Sequence, residues 1–498
     1  MGVCGLPLLY NAAFTEALRE RRRARMSDTE SSVEGTSLAG DIGPAPGSGM
    51  SRGRVAKAGA WSLVGHATDQ GTRFAGSVVF SWLLAPEVFG LMTIVNVFLR
   101  GLAMFSDIGL GPNIIQSKRG EDPVFLRTAW TVQIARAALI AIAASACAWP
   151  LAAAKGEWGL LWYLPAAAFG TIIAGFKATT VFTLTRRLDL KRATMIDITA
   201  ALIAMAATIS LAYWWRSIWA LIVGGWISTL TLVVLSHTMI PGPSMRMGFD
   251  REAARELLHF GKWIFISTIL TFLATYAGDI VMSIFMTAAT LGIYTRASLV
   301  SRGVTEVVTV IANRVLLPAY SEIVRTDADR LRGHVLRIRA GVLLLTLPPA
   351  WALVVFGQEI VGLLYPDNMA GAADFLPVLG VGAVFSVIFL PVGNILLASG
   401  DSYRHMLLQS TRSATVVVTM FLGGFAGLAM DGEVVWGVTM SEPMGLVMGF
   451  SASSFIYYPV MAWLVRPYKT WMPLLDGMAV GVSVAAVAFG FWVKDIGL

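Results

Sequence analysis

Charge and cysteine are what this chain has least of. Asp, Glu, Lys and Arg make up 14% of its 498 residues, where a soluble domain is nearer a quarter. That deficit excludes an ordinary water-soluble domain. Two cysteines, Cys4 and Cys147, are too few and too far apart for a disulfide framework or a metal site. No nucleophile–base pair, metal-ligand cluster or phosphate-cradling glycine motif stands at a chemically useful spacing. No enzymatic activity, cofactor or metal is therefore expected. Basic residues outnumber acidic ones by seven, but they lie in loops between apolar runs. Membrane topology explains that placement better than nucleic-acid binding does.

What the chain has instead is apolar length: 56% of it is hydrophobic, with 16 Trp, 49 Gly and 20 Pro. These suit interfacial anchors, close helix packing and broken helices. Apolar segments run over 59–84, 88–111, 124–150, 158–185, 194–214, 217–239, 258–286, 290–320, 336–364, 374–399, 404–429, 433–464 and 472–493. Each is long enough to cross about 30 Å of hydrocarbon. The fold class is thus an all-α polytopic membrane protein. Residues 433–464 contain Glu442-Pro443 and are expected to be kinked or broken there.

Residues 1–56, with the basic run RERRRAR and a Ser/Gly/Pro/Glu-rich stretch, read as a disordered cytoplasmic tail. A true start at Met26 or Met50 is the alternative. With the tail inside, inward segments collect twenty-three Lys and Arg, Arg404 and Arg412 among them, against Lys155, Arg216 and Lys494 outside. Outward loops carry Glu87, Asp367, Asp374, Asp431 and Glu433 instead. Thirteen spans place the N-terminus inside and the C-terminus outside. The stretch 241–257, IPGPSMRMGFDREAARELL with its flanks, reads as a cytoplasmic linker with a short amphipathic helix. It divides a first six-helix half, 57–240, from a second, 258–466, and leaves 467–498 as one extra helix. The halves echo each other: an offset of 202 brings Gly90 onto Gly292, Leu91 onto Ile293 and Arg100 onto Arg302, the pattern of a transporter built from repeats.

Charges inside spans are costly and mark functional positions. In Leu291–Tyr320, Thr295, Ser298, Arg302, Glu306, Thr309 and Asn313 fall on one narrow helical stripe. In the first span His66, Asp69, Gln70 and Arg73 share a face at i, i+3, i+4 and i+7. Arg73, Arg100 and Arg302 are the most central arginines; Arg136 and Lys177 are also within spans. Arg296, Arg314, Asp107 and Asp197 fall near span ends and are expected at the interface. The alternative to a hydrated binding face is a local i,i+4 ion pair, Asp69 with Arg73 or Arg302 with Glu306. His66 suits either a packing hydrogen bond or a proton-linked role.

WLLAPEVFGLMTIV (82–95), FSDIGLGPNIIQS (105–117), RRLDLKR (186–192), HFGKWIFIS (259–267), AGDIVMSIF (277–285), LGIYTRA (291–297) and RVLLPAYSEI (314–323) together resemble the polysaccharide transporter family. That family, the lipid-linked oligosaccharide and O-antigen flippases, belongs to the multidrug/oligosaccharidyl-lipid/polysaccharide exporter superfamily. The resemblance runs from about Val55 to Arg466. It implies two six-helix bundles in a V around a central cavity, working by alternating access in a bacterial inner membrane. The implied substrate is an undecaprenyl-pyrophosphate-linked oligosaccharide for exopolysaccharide or O-antigen synthesis, with a polysaccharide polymerase or export machinery as partner. Guanidinium forks suit phosphate, so Arg73, Arg100, Arg302 and Arg136, with Gln70 and Glu306, are the expected substrate contacts. Asp69, Asp279 and His66 are the expected carriers of a coupling H⁺ or Na⁺. A multidrug or cation antiporter of the same superfamily, and a membrane polysaccharide polymerase or ligase, are the rival readings. Central arginines weigh against the first and short outward loops against the second.

Overall fold

The computed structural model describes residues 52–495 except 188, 241, 327–330, 436–437 and 469. The expected tail thus lies outside the described residues as far as residue 51, as do the side chains of His66 and Arg314. The first half consists of α1 (Arg52–Leu83), α2 (Pro86–Phe105), α3 (Leu110–Gln116), α4 (Pro123–Lys155), α5 (Leu160–Gly175), α6 (Thr180–Arg186), α7 (Leu190–Trp215) and α8 (Ile218–Thr238). The second holds α9 (Arg251–Phe285), α10 (Ala288–Ile311), α11 (Leu317–Thr326), α12 (Leu331–Val355), α13 (Gly357–Leu364), α14 (Ala372–Ala398), α15 (Ser402–Ala429), α16 (Glu442–Ile456), α17 (Tyr458–Val465) and α18 (Pro473–Asp495). The short strands β1 (Val434–Val435) and β2 (Val438–Thr439) pair antiparallel, Val434 opposite Thr439.

Nine helices among the described residues are long and apolar enough to cross a membrane, ten if α5 and α6, bent by 64°, form one span. The chain is a multi-pass membrane protein. The three other expected spans fall on α1, α9 and α10, of 32, 35 and 24 residues. At about 1.5 Å per residue each is long enough to cross. Two expected shapes are resolved. The segment 433–464 is broken rather than kinked, with a helix beginning at Glu442: Ser441 Oγ accepts from the Met444 amide at 3.3 Å and Pro443 sits in the first turn, where a missing N–H costs nothing. Glu442 is therefore the first residue of its span rather than an interior one. The amphipathic segment after 250 does not stand alone either; Asp250 Oδ2 caps Ala253 N at 2.8 Å and α9 runs on without a break to Phe285.

Two features govern the packing. At one end, bearing the loops expected outside, both halves share one apolar cluster that includes Leu84, Phe89, Val95 and Leu160 from the first and Met282, Leu291, Tyr294 and Phe375 from the second. Towards the other end each half has an apolar cluster of its own. Val335, Leu396 and Leu464 belong to a cluster within the second half, while Leu184, Ile196 and Ile240 form one within the first. A third, Leu110, Ile114 and Phe125, packs against Ala253 and Leu257 at the start of α9.

The halves cross where α2 meets α10. A Cβ on Gly90 would lie 1.8 Å from Ala288 O, and one on Gly292 1.8 Å from Pro86 O. Only glycine lets backbones approach so closely. A second such crossing joins α15 to α16, with Gly423 and Gly427 against Gly445 and Ser441.

The end opposite the shared core is held by ion pairs. Arg119 reaches Asp122 at 3.2 Å, Glu252 at 3.8 Å and Asp250 at 3.9 Å. Ser117 Oγ donates to Glu256 at 2.7 Å, and Arg187 meets Glu121 at 2.8 Å. The loop between α3 and α4 thereby ties the end of α6 to the start of α9. The hydrogen bonds from Arg187 hold the Glu121 carboxyl below its usual range.

Leu291–Tyr320 is not one α-helix. Residues Ala312–Leu316 form a π-helical turn between α10 and α11. Pro318 accounts for it: its ring would clash with the carbonyl four residues back and it has no N–H to give. A wider turn accommodates both defects.

The extra helix α18 is fixed to the second half at both ends. Arg339 and Asp476, 1% and 4% exposed, pair at 2.6 Å, and Tyr458 Oη donates to Asp476 Oδ2 at 3.0 Å. At the far end Lys494 pairs with Glu359 at 2.6 Å.

Candidate functional site

Most of the charges singled out within the spans line one of three pockets. The first, about 840 Å³, lies between α1, α7 and α8 and is lined by Asp69, Arg73, Thr72, Thr194, Asp197 and Ser228. Arg73 Nε donates to Asp69 Oδ2 at 2.9 Å, so the i,i+4 pair forms and also faces the pocket. Gln70 is exposed. Asp197, expected at the interface, lines this pocket instead.

A second pocket of about 510 Å³ adjoins the first across Met92, Leu221 and Gly225. It holds Arg100, Arg136, Asn96, Gln133 and Thr229. Arg136 lies 3.8 Å from Asp107, and its Nε donates to Ser106 Oγ at 3.1 Å. Arg100 is placed differently. Its Nη1 donates to Tyr276 Oη on α9 at 2.8 Å, with the guanidinium 5.6 Å from that ring. Among the described residues no carboxylate pairs with it, and the contact bridges the two halves.

The third pocket, about 410 Å³, is lined by residues of the second half: Asp279, Ser298, Arg302, Thr305, Thr309, Asn313 and others from α14 to α17. Four members of the expected stripe, Ser298, Arg302, Thr309 and Asn313, are on its wall. Arg302 pairs with Asp279 rather than with Glu306, and its Nε donates to Ser298 Oγ at 3.0 Å. The partner comes from the neighbouring helix because α9 lies alongside α10 at this level. Arg73, Arg100 and Arg302 are thus each in a separate pocket.

Arg296 departs from expectation most. It is not at a wet helix end but wedged in the joint, its guanidinium 4.2 Å from the Phe89 ring centroid and bonded to Ser77 Oγ. It carries charge across the α2–α10 crossing.

Sequence reasoning passed over the far wall of the third pocket: Asn394, His405, Gln409, Arg412, Ser451 and Tyr457. Counting basic residues by loop groups Arg412 with the inward segments. It lies ten residues into α15, about 15 Å from that helix's start. Depth within the span was the signal available for it.

A profile of polysaccharide biosynthesis proteins matches residues 79–374, more than half of the chain. The lipopolysaccharide biosynthesis protein WzxC of Escherichia coli (strain K12) is 20% identical over 440 residues, covering 87% of each chain. In fold, the chain is similar to the lipid II flippase MurJ in an inward closed conformation, with TM-score 0.64, 12% identity and coverage of 88% of this chain and 93% of that one. It is also similar to an inward-facing multidrug resistance transporter of the MATE family in the MOP superfamily, with TM-score 0.61, 12% identity and coverage of 80% and 95%. The expected all-α, two-bundle membrane architecture is therefore the fold observed. With that fold and a match across both halves, the chain belongs to the polysaccharide biosynthesis protein family.

Proposed function

We propose that this protein moves a lipid-linked oligosaccharide, carried on a polyprenyl pyrophosphate, from the cytoplasmic to the periplasmic leaflet of a bacterial inner membrane by alternating access. Arg100 carries the reading: a guanidinium on the lining of a pocket within the first half, its described partner the hydroxyl of Tyr276 on α9 of the second half. A pyrophosphate supplies the anion that this cation lacks. One large apolar core joins the two halves at one end, while at the other each half has a cluster of its own and a small cluster with polar contacts joins the first half to the start of α9. That difference suits a carrier that opens one side at a time, here with the N-terminus and the more lightly joined end in the cytoplasm. Asp69 and Asp279, paired with Arg73 and Arg302, are the carboxylates through which H⁺ or Na⁺ would act, each by releasing its arginine to substrate. A cation antiporter has one observation in its favour, the two carboxylates Asp69 and Asp197 in the largest of the three pockets.

Deletion of the gene should leave lipid-linked repeat units on the cytoplasmic leaflet. The wild-type copy should clear them and Arg100→Ala should not. Clearance in the deletion strain would end the proposal, and drug sensitivity without lipid accumulation would favour the antiporter.

A further inference from the structure

The third pocket is lined by buried polar atoms that find no hydrogen-bond partner among the described residues. Asn394, 8% exposed, has no acceptor for its Nδ2, and Ser451, 5% exposed, has no partner for its Oγ. Both residues line the pocket. Buried polar groups are normally paired, so two orphans around one space point to something that fills it. What matters is which ligand the set prefers.

Charge decides that. Arg302 is neutralised by Asp279, which leaves Arg412 as a guanidinium on the lining without an ion pair or hydrogen bond among the described residues. One uncompensated cation surrounded by amides and hydroxyls matches a single carboxylate attached to a hydroxyl-rich body. A pyrophosphate, with more charge and no hydroxyls, matches it poorly. Phe450 and Tyr457 on the same wall supply apolar faces for a sugar ring. The crossing of Gly423 with Gly445 brings α15 and α16 close enough for Arg412 and Ser451 to share this wall. The volume, about 410 Å³, is within the range of small-ligand cavities.

We propose that this pocket is a separate subsite for an acidic sugar of the glycan, with Arg412 taking its carboxylate and Asn394 and Ser451 donating to its oxygens. The inference rests on the transport reading above but assigns the sugar rather than the headgroup.

The test uses the purified full-length protein in lipid nanodiscs and two polyprenyl-pyrophosphate glycans that differ only in one residue, a hexuronate or the matching neutral hexose. Wild type should bind the uronate form about tenfold more tightly, the worth of one charged hydrogen-bonded contact. Arg412→Gln should abolish that preference, and Arg412→Lys should keep part of it. Asn394→Asp, which sets a carboxylate beside the sugar's own, should weaken the uronate form selectively and so gives a second route if Arg412→Gln does not fold. Equal wild-type affinity for the two glycans, or an unchanged preference in Arg412→Gln, overturns the subsite. Arg100→Ala should weaken both glycans alike. A wild-type protein that binds neither lipid overturns the transport reading and the subsite with it, a result distinct from loss of preference alone.

Discussion

Gly90 and Gly292 hold the same position in two copies of one contact. Gly90 approaches Ala288 and Gly292 approaches Pro86, and both pairs are related by the offset of 202 that aligns the halves. The crossing of α2 with α10 is therefore self-complementary, like an isologous interface folded into one chain.

A side chain at either glycine should force this joint apart. Gly90→Val or Gly292→Val should each cost about 1–3 kcal/mol or more, as overpacking does. The two together should cost less than their sum, because one opening relieves both. The measurement is thermal stability, with labelling of a cysteine placed at Ser77, 9% exposed in the joint, by a membrane-impermeant thiol reagent. Labelling should rise in both variants; unchanged labelling would mean that the joint tolerates the bulk.

Arg100 and Tyr276 make a contact whose members should not be equivalent. Arg100→Lys keeps the charge but loses the planar fork, and should reduce binding of the lipid pyrophosphate by about tenfold. Tyr276→Phe removes one hydroxyl and should change it less. Binding to both variants, measured side by side, checks the order; a larger loss in Tyr276→Phe would make Tyr276 the ligand.

The buried Arg339–Asp476 pair should behave as a unit. Removing one partner strands a charge at about 3–5 kcal/mol, whereas replacing both by apolar residues is often neutral. Arg339→Met and Asp476→Leu should each lower the melting temperature, and the double variant should recover most of the loss. Additive losses would show that the residues act separately.

Glu121 and Arg187 predict a pH effect at the end opposite the shared core. The carboxyl is lowered by its hydrogen bonds from Arg187, so its contribution is present above the ordinary glutamate value, about 4.3. It is lost as pH falls through the lower folded value. Side chains 45% and 59% exposed limit it to about 0–1 kcal/mol, and salt should weaken it further. A double-mutant cycle with Glu121→Gln and Arg187→Gln should show coupling at neutral pH that disappears below the folded value.

Helix positions were legible because a run of apolar residues long enough to cross a membrane permits few alternatives. The stripe of α10 was legible too, since Ser298, Arg302, Thr309 and Asn313 do share a wall. What escaped was pairing between helices. Arg302 chose Asp279 over Glu306, and Arg296 chose Phe89, because depth and neighbours are tertiary facts that spacing does not contain. Arg412 escaped for a related reason: counting basic residues by loop treats a deep arginine and a snorkelling one alike. Between a kink and a break at Glu442-Pro443 the sequence does not choose, because the pair reads equally as a kink or as a first turn.

The π turn at Ala312–Leu316 has the effect of an inserted residue. One extra residue per turn rotates all that follows by about 100° around the helix axis. Asn313 still addresses the third pocket, yet Tyr320, fully buried, addresses the packed interior beside α12 and α14. The face written in the sequence as a continuous line is thus closed off by a change in counting. Deleting a residue here would rotate α11 out of register and send Tyr320 towards a different neighbour, with every contact above the turn left in place.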